Sequence, residues 1–344
     1  MKLVLTNQNG SFDITELVST IQWSGSCDQC ARTLSVELLA EDAPDCSIGS
    51  NLTLMENQSR IFTGIVLTRT RSTASHIIDL TAFDYGIYLN RNQTSKKFVG
   101  ITPEAGTAAL SSEFGIAVGT LAATGVPVSR KLFGKTLYEV IMTLYTLASQ
   151  STGKKYFVCF SGASLNVLEK GTAAPMLLIK GGSNLIDAST TESAEQIINR
   201  VAVYDKDENL LYTQNDAASA ALYGVMQTVT KQQTNIDVAA KLLKDSQPQQ
   251  KITVNCLGDT ACTSGRAVML QESTTGLYGK FFIDSDTHQW KNGVYTNSLT
   301  LNLNAVMDEK TAGEEIKAAS GAASSGNAKY QQYLDRLQSQ SSVN

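Results

Sequence analysis

The feature that most constrains this chain is a three-segment pattern that occurs twice. The first copy runs Gly49-Ser-Asn-Leu52-Thr-Leu54-Met55, a turn, then Ile61-Phe62-Thr-Gly64-Ile65-Val66, a spacer with His76, and Ile78-Asp-Leu80-Thr. The second runs Gly265-Arg-Ala-Val268-Met-Leu270, a turn over Ser273 to Gly276, then Leu277-Tyr278-Gly279-Lys-Phe281-Phe282, a spacer with His288, and Leu299-Thr-Leu301-Asn-Leu303. Apolar residues at every second position place one face of a strand in a core and the other outward. Each copy therefore predicts a three-stranded β-meander. The glycine inside each middle strand predicts a bulge or a close approach of backbone. Two readings stay open at this level: two unrelated hairpin runs that share strand periodicity, or two related β-domains with other elements inserted between them.

The rest of the chain fits around this pattern. Residues 1–100 read as short strands, beginning with a hairpin at Asn9-Gly10 and continuing through Leu34-Ser-Val36-Glu-Leu38, as in a barrel or sandwich. The period then lengthens over residues 101–200, where Thr102-Pro103-Glu104 opens a short helix. A second helix opens at Thr136; Leu137, Val140, Ile141, Leu144, Tyr145 and Ala148 share one face, and it ends near Gly153. Strands follow at Tyr156–Phe160 and Leu165–Val167, with a polar stretch at Gly181–Asn184. Residues 201–307 return to strands around one helix at 231–246, whose Val238, Ala239, Leu242 and Leu243 face inward. Residues 308–344 hold few large apolar side chains and read as a flexible tail or docking arm, with a short helix near Tyr330 to Leu337.

Composition excludes several functional classes. The 344 residues are 42% hydrophobic, enough for a real core, but only 17% charged, below the roughly 25% of an ordinary domain. Sparse charge suits a surface that meets other subunits, because a charge buried unpaired in an interface is costly. The net charge is −4 and the basic residues cluster no further than the pairs Lys96-Lys97 and Lys154-Lys155, which argues against nucleic-acid recognition. No apolar run approaches the ~18 residues of a membrane span, and the apolar stretch of the N-terminus is short for a signal peptide. Synthesis in a cytoplasm is the expectation, and with it six reduced cysteines: Cys27, Cys30, Cys46, Cys159, Cys256 and Cys262.

Cys27-Asp-Gln-Cys30 has the spacing of half a zinc site or a redox pair, but only Cys46 offers a nearby third thiolate and the motif lies between strands. His76 and His288 occupy comparable spacers and read as polar loop or strand-end residues rather than members of a nucleophilic triad. Asp284 and Asp286 beside His288 have the residue types of a metal cluster, but turn chemistry explains Asp-Ser-Asp well. Trp23 and Trp290 read as core or barrel-mouth packing, and Arg32 as either a buried ion-pair partner or a solvated edge cation. No phosphate loop, dinucleotide glycine motif or zinc-protease motif is present. The expectation is therefore no catalytic, cofactor-binding or metal-binding residue, and no enzyme.

Several stretches together resemble the XkdQ/YqbQ hub proteins. They are Ile21-Gln-Trp23-Ser-Gly25 with Ala31-Arg32-Thr33-Leu34; Phe62-Thr-Gly64 with Thr81-Ala82-Phe83-Asp84-Tyr85-Gly86-Ile-Tyr88-Leu89; Gly134-Lys-Thr136-Leu137-Tyr138 with Gly153-Lys-Lys-Tyr156; Ile198-Asn199-Arg200-Val201 with Tyr223-Gly224; and Leu257-Gly258-Asp259 with Asp286-Thr-His288-Gln-Trp290. The resemblance spans about residues 1–305. It implies a β-rich α+β fold: two related tube-like β-barrel domains with an inserted α/β region and a C-terminal helical tail. It implies the baseplate hub of a contractile phage tail or a tail-like bacteriocin, a homotrimer whose pseudo-sixfold ring joins the tail tube to the central spike. Expected partners are the tube and spike proteins, baseplate wedge or LysM-type proteins, and the tape measure. Such a protein sits in the virion or tail-like particle. The alternative is a peptidoglycan-acting hydrolase used in cell entry; a carbohydrate-binding module built on the two tryptophans is weaker, since no aromatic stripe accompanies them.

Overall fold

The computed structural model describes residues 1–72, 76–172, 176–232 and 237–316. The expected helix near Tyr330 lies outside them; of the helix expected over 231–246, Val238–Asp245 is helical, whereas Lys231 ends a strand and 233–236 lie outside the described residues. Two compact units are present. The larger holds Met1–Tyr88, Ile116–Ala122 and Lys154–Asp308; the smaller holds Leu89–Gly115, Ala123–Gly153 and the described residues 309–316. The strands of 154–193 thus belong to the larger β-rich unit rather than to a middle domain.

Thirteen strands of the larger unit form one hydrogen-bonded sheet. In chain order they are β1 (Lys2–Asn7), β2 (Gly10–Asp13), β3 (Val18–Ser26), β4 (Thr33–Leu39), β5 (Asn51–Glu56), β6 (Ser59–Arg71) and β7 (Ile77–Asp84). After the intervening segments come β8 (Leu177–Lys180), β9 (Leu185–Ser193), β10 (Gln249–Leu257), β11 (Ala267–Glu272), β12 (Leu277–Lys291) and β13 (Val294–Asn302). The pairing order is β5-β6-β7-β4-β3 in the first half and β11-β12-β13-β10-β9 in the second, so adding six to each strand converts one half into the other. Of the two readings left open by the sequence, this order selects two related halves. Register agrees in detail. Leu80 faces Val36, which faces Ile21; Leu299 faces Val254, which faces Ala188.

Each half has its own core. Leu3, Leu5, Ile21, Leu34, Val36, Leu52, Leu54, Ile78 and Leu80 pack in the first. Ile252, Val254, Val268, Leu270, Phe281, Ile283, Leu299 and Leu301 pack in the second. Leu52, Leu54, Ile78, Leu80, Val268, Leu270, Phe281, Leu299 and Leu301 among them are alternating residues of the repeat, and burial of the two clusters is the main stabilising term. The expected closed barrels are not found: among the described residues the sheet is an open path from β9 to β2, and the halves join through β3 and β12. A strand shared at the junction gives its hydrogen bonds to the neighbouring half, and none are left to close its own half into a tube.

The two glycines of the repeat act differently. At Gly64 a Cβ would collide with the Phe83 carbonyl and the Phe62 ring, so β6 and β7 lie too close for a side chain. At Gly279 there is open space, but φ is +120°, a backbone conformation only glycine adopts freely.

Insertions interrupt the second half. Arg200–Tyr204, Leu210–Asn215 and Gln227–Lys231 form a small sheet within the β9–β10 connection, cored with Ala239 and Leu243 of helix Val238–Asp245. Strands Tyr156–Ser161 and Ser164–Glu169 pair as expected, with Val118–Leu121 added in parallel. In the smaller unit, strands Gln93–Ile101 and Val128–Thr136 pair antiparallel, beside helices Pro103–Glu113 and Leu137–Thr152. The latter opens with a capping box: the Glu139 amide donates to Thr136 Oγ1 at 3.1 Å, and the Thr136 amide donates to Glu139 Oε2 at 3.0 Å. Of the expected tail, Glu314 and Glu315 form a short strand opposite Lys131 and Arg130.

Gly64→Ala is expected to lose about 1–3 kcal/mol through overpacking of β6 on β7, measured by urea unfolding. The neighbouring Thr63→Ala, which adds no atom near β7, should lose less.

Candidate functional site

The junction of the two halves is where the signature residues converge. β12 is fifteen residues long, and its two ends have different neighbours. Its first part, Leu277–Phe282, pairs with β11; its last part, Ser285–Lys291, pairs with β3. A bulge at Asp284 lies at the change, where the register on β13 slips between Ile283 and Ser285. Asp284-Ser-Asp286 is thus a strand segment and not the expected turn: the bulge lets the strand bend while its ladder with β13 continues.

Asp286 stands opposite Gly25 of β3. Arg32, just before β4, reaches across the space that Gly25 leaves; a Cβ there would strike the guanidinium. Both terminal nitrogens of Arg32 bind Asp286, Nη1 to Oδ1 at 3.0 Å and Nη2 to Oδ2. The Arg32 guanidinium also lies over the Trp23 ring, 4.1 Å from its centroid. The Ser264 amide donates to Asp286 Oδ1, and Nη1 reaches Ser264 Oγ at 3.3 Å. Asp286 is fully buried and the Arg32 side chain is 14% exposed. Burial pushes the Asp286 carboxyl up, but the Arg32 charge and the hydrogen bonds from His288 and Arg32 outweigh it and hold the group well below the usual carboxylate range. Of the two readings of Arg32, the buried ion pair is the one found.

His288 is two residues on, opposite Trp23, with ring centroids 4.6 Å apart. The expected equivalence with His76 does not hold. His76 is an exposed loop residue 3.9 Å from Glu41, whereas His288 is completely buried in mid-strand. Its Nε2 lies 3.1 Å from both Asp286 Oδ2 and the Cys262 carbonyl, and its Nδ1 lies 2.8 Å from the Tyr295 hydroxyl. Two acceptors at Nε2 place the proton there, which leaves Nδ1 to accept from Tyr295. Trp290 stacks on Tyr295 at 4.1 Å. Both ring nitrogens of His288 are occupied by partners inside the protein.

A second buried pair stands beside the first. The Lys170 side chain has no exposure, and its Nζ lies 3.1 Å from Asp284 Oδ1, while Asn302 donates to Oδ2. Sequence reasoning missed Lys170, Asn302, Ser264 and Tyr295, because strand pairing and loop packing, not spacing along the chain, bring them to Asp284, Asp286 and His288.

Cys30 and Cys27 do not act as a pair. Cys30 Sγ donates to the Gly86 carbonyl at 3.2 Å, and Cys27 Sγ to that of Ile283 at 3.4 Å. Burial raises the thiol of Cys27 to about 11 and that of Cys30 further still. Cys46 is buried in the core of the first half. No three His, Cys, Asp or Glu residues converge as a metal-holding group among the described residues. A cavity of about 340 Å³ opens beside Trp23, Arg32, Ser264 and Arg266; its thiols, Cys30 and Cys159, are both raised by burial. Asp84-Tyr85-Gly86 is the turn the sequence predicts: Gly86 donates to Asp84 Oδ1 at 2.9 Å, and Gly86 packs on the Cys30 carbonyl too closely for a side chain. Burial pushes the Asp84 carboxyl up to about 6.

The arrangement is a polar clasp between two sheet halves, and the fold that carries it is that of phage tail proteins. The prophage MuSo2 43 kDa tail protein of Shewanella oneidensis aligns at a TM-score of 0.64 with 15% identity, over 88% of this chain and 97% of that one. A tail protein of Neisseria meningitidis MC58 aligns at 0.65 with 13% identity, over 90% and 98%. The phage-like element PBSX protein XkdQ of Bacillus subtilis (strain 168) is 22% identical over 312 residues, 86% of this chain and 95% of its own length. The YqbQ-like family model matches residues 21–302, which hold the whole clasp, and the chain belongs to that family. No helix among the described residues is long and apolar enough to cross a membrane.

Removing one member of a buried ion pair leaves the other charge unpaired. Arg32→Ala and Asp286→Ala are each expected to cost about 3–5 kcal/mol, and the double variant less than their sum; urea unfolding of the four proteins measures this. Asp84 has the opposite sign. Its folded value lies above that of the unfolded chain, so its charge opposes folding most above pH 6, and the penalty fades as pH falls toward 4. Asp84→Asn should therefore gain on wild type by up to about 3 kcal/mol at pH 7 relative to pH 4, seen as converging unfolding midpoints on acidification.

Proposed function

We propose that this chain is the structural hub of a contractile phage tail or tail-like baseplate, in which three copies form a ring between the tail tube and the central spike. The observation that carries the reading is the shared pairing order of strands β3–β7 and β9–β13. A trimer of chains with two look-alike halves presents six similar surfaces to a sixfold tube and three chain-specific surfaces to a threefold spike. The insertions, which occur between and within the halves, are where the threefold partners would be distinguished. Family membership and the tail-protein fold support the placement in a virion or tail-like particle. The wedge or LysM-type proteins and the tape measure are the further partners this reading includes.

The role is non-enzymatic. What supports this is the occupation of every polar atom of His288 and Asp286 by structural partners, together with thiols held protonated by burial.

Mass measurement and imaging of purified particles should find three copies per tail tip. A single copy per particle would overturn the ring. In the same particles Cys27→Ala and Cys30→Ala should leave clearing of a cell-wall gel unchanged; loss of clearing would favour the hydrolase reading instead.

A further inference from the structure

We propose that neighbouring copies of this chain join by antiparallel strand pairing, the outer edge of β9 in one copy adding to the Thr68–Arg71 edge of β6 in the next. The proposal rests on the ring reading above and names the surfaces that close it.

The template is the junction inside the chain. β12 pairs with β11 by its first part, bulges at Asp284, and offers the edge of Ser285–Lys291 to β3. β6 is built the same way. Its first part pairs with β5, its register on β7 slips at Leu67, and Thr68–Arg71 continue on β7. There the likeness ends, because the β6 edge that corresponds to the β3-covered edge of β12 carries no strand among the described residues. Leu67 to Arg71 are all exposed. The counterpart of β3 is β9, which is an end strand of the sheet: among the described residues it pairs with β10 alone, and it is exposed along most of its length. Among the described residues each chain thus has one donor edge and one acceptor edge left over, of the two kinds already joined internally.

Transferring the internal register predicts the pairs. Ser26 opposite Ser285 becomes Ser193 opposite Thr68, and Gly25 opposite Asp286 becomes Glu192 opposite Arg69. Ser24 with Thr287 becomes Thr191 with Thr70, and Trp23 with His288 becomes Thr190 with Arg71. Charge agrees with this register, although charge was not used to obtain it. Residues 67–71 of β6 carry two arginines and no acid; β9 carries Asp187 and Glu192 and no base. Each edge repels its own kind and attracts the other, which prevents like edges from pairing and directs head-to-tail addition. The present partners of the two central groups are weak: Arg69 lies 3.7 Å from Asp45, and Glu192 accepts from Gln250 at 3.5 Å. Exposed strand edges otherwise invite uncontrolled aggregation, and β-strand addition is an established way of satisfying them. The same step repeated around six halves closes a ring of three chains.

The test is a cysteine pair in assembled particles of the full chain. Directly opposed residues in an antiparallel ladder are about 4.5–5.5 Å apart at Cα, within disulfide reach. Thr70→Cys with Thr191→Cys should give disulfide-linked dimers and trimers on mild oxidation, while each single variant gives none. Glu192→Arg should block incorporation into particles, and adding Arg69→Glu should restore it; circular dichroism of each variant checks folding. Particles with three copies but neither cross-linking nor charge rescue would overturn this seam and leave the hub reading intact. Particles with one copy would overturn both.

Discussion

Asp286 sits inside a β-sheet with no solvent contact, and a carboxylate in that position must have a cation or it must take up a proton. Arg32 is the cation, and its arrival depends on most of what surrounds it. Gly25 clears the path, Trp23 provides a flat face for the guanidinium, and the Ser264 amide takes part of the charge. The bulge at Asp284 turns β12 so that Asp286 faces β3. Since Arg32 belongs to the first half and Asp286 to the second, the pair forms only when both halves are built and correctly registered. It therefore reports on assembly of the whole sheet rather than on either half. A hydrophobic pair of similar size could pack as firmly, but it would tolerate a slipped register that a two-pronged ion pair does not.

The repeat explains how the chain tolerates its insertions. Strands β3–β7 and β9–β13 follow one order, and each half encloses its own apolar cluster. Extra elements enter through connections that leave the ladders intact: a three-stranded sheet with its helices between β9 and β10, and further elements between β7 and β8. The cost of a longer connection rises slowly with its length, whereas loss of one ladder exposes a row of backbone groups.

Much of this was legible in the residues, and the places where it was not share a cause. The Asn9-Gly10 hairpin, the helix from Leu137 with its Thr136–Glu139 cap, the Asp84-Tyr85-Gly86 turn and the alternating core residues are set by neighbours a few positions apart. Trp23, Gly25, Arg32, Asp286 and His288 stood out as members of motifs, but their common purpose did not, because the two groups lie more than 250 residues apart. Asp284-Ser-Asp286 has the composition of a turn and is a bulged strand, because β3 and β13 supply partners on both sides. His288 has the spacing of His76 and a completely different environment. Strand β9 was missed altogether: its Asp, Ser, Thr and Glu residues have no apolar alternation, as befits a strand with only one paired side.

By itself the sequence determined the local elements, the repeated strand pattern and the family resemblance, since period, turn chemistry and motif order are properties of short stretches; that the repeat means two related halves was settled by the strand order. Only the tertiary structure decided that the halves share one open sheet instead of closing separately, and that the charged motif residues meet at the junction. It alone decided which strand edges remain uncovered. Those outcomes depend on hydrogen bonds between strands hundreds of residues apart, which no local pattern encodes.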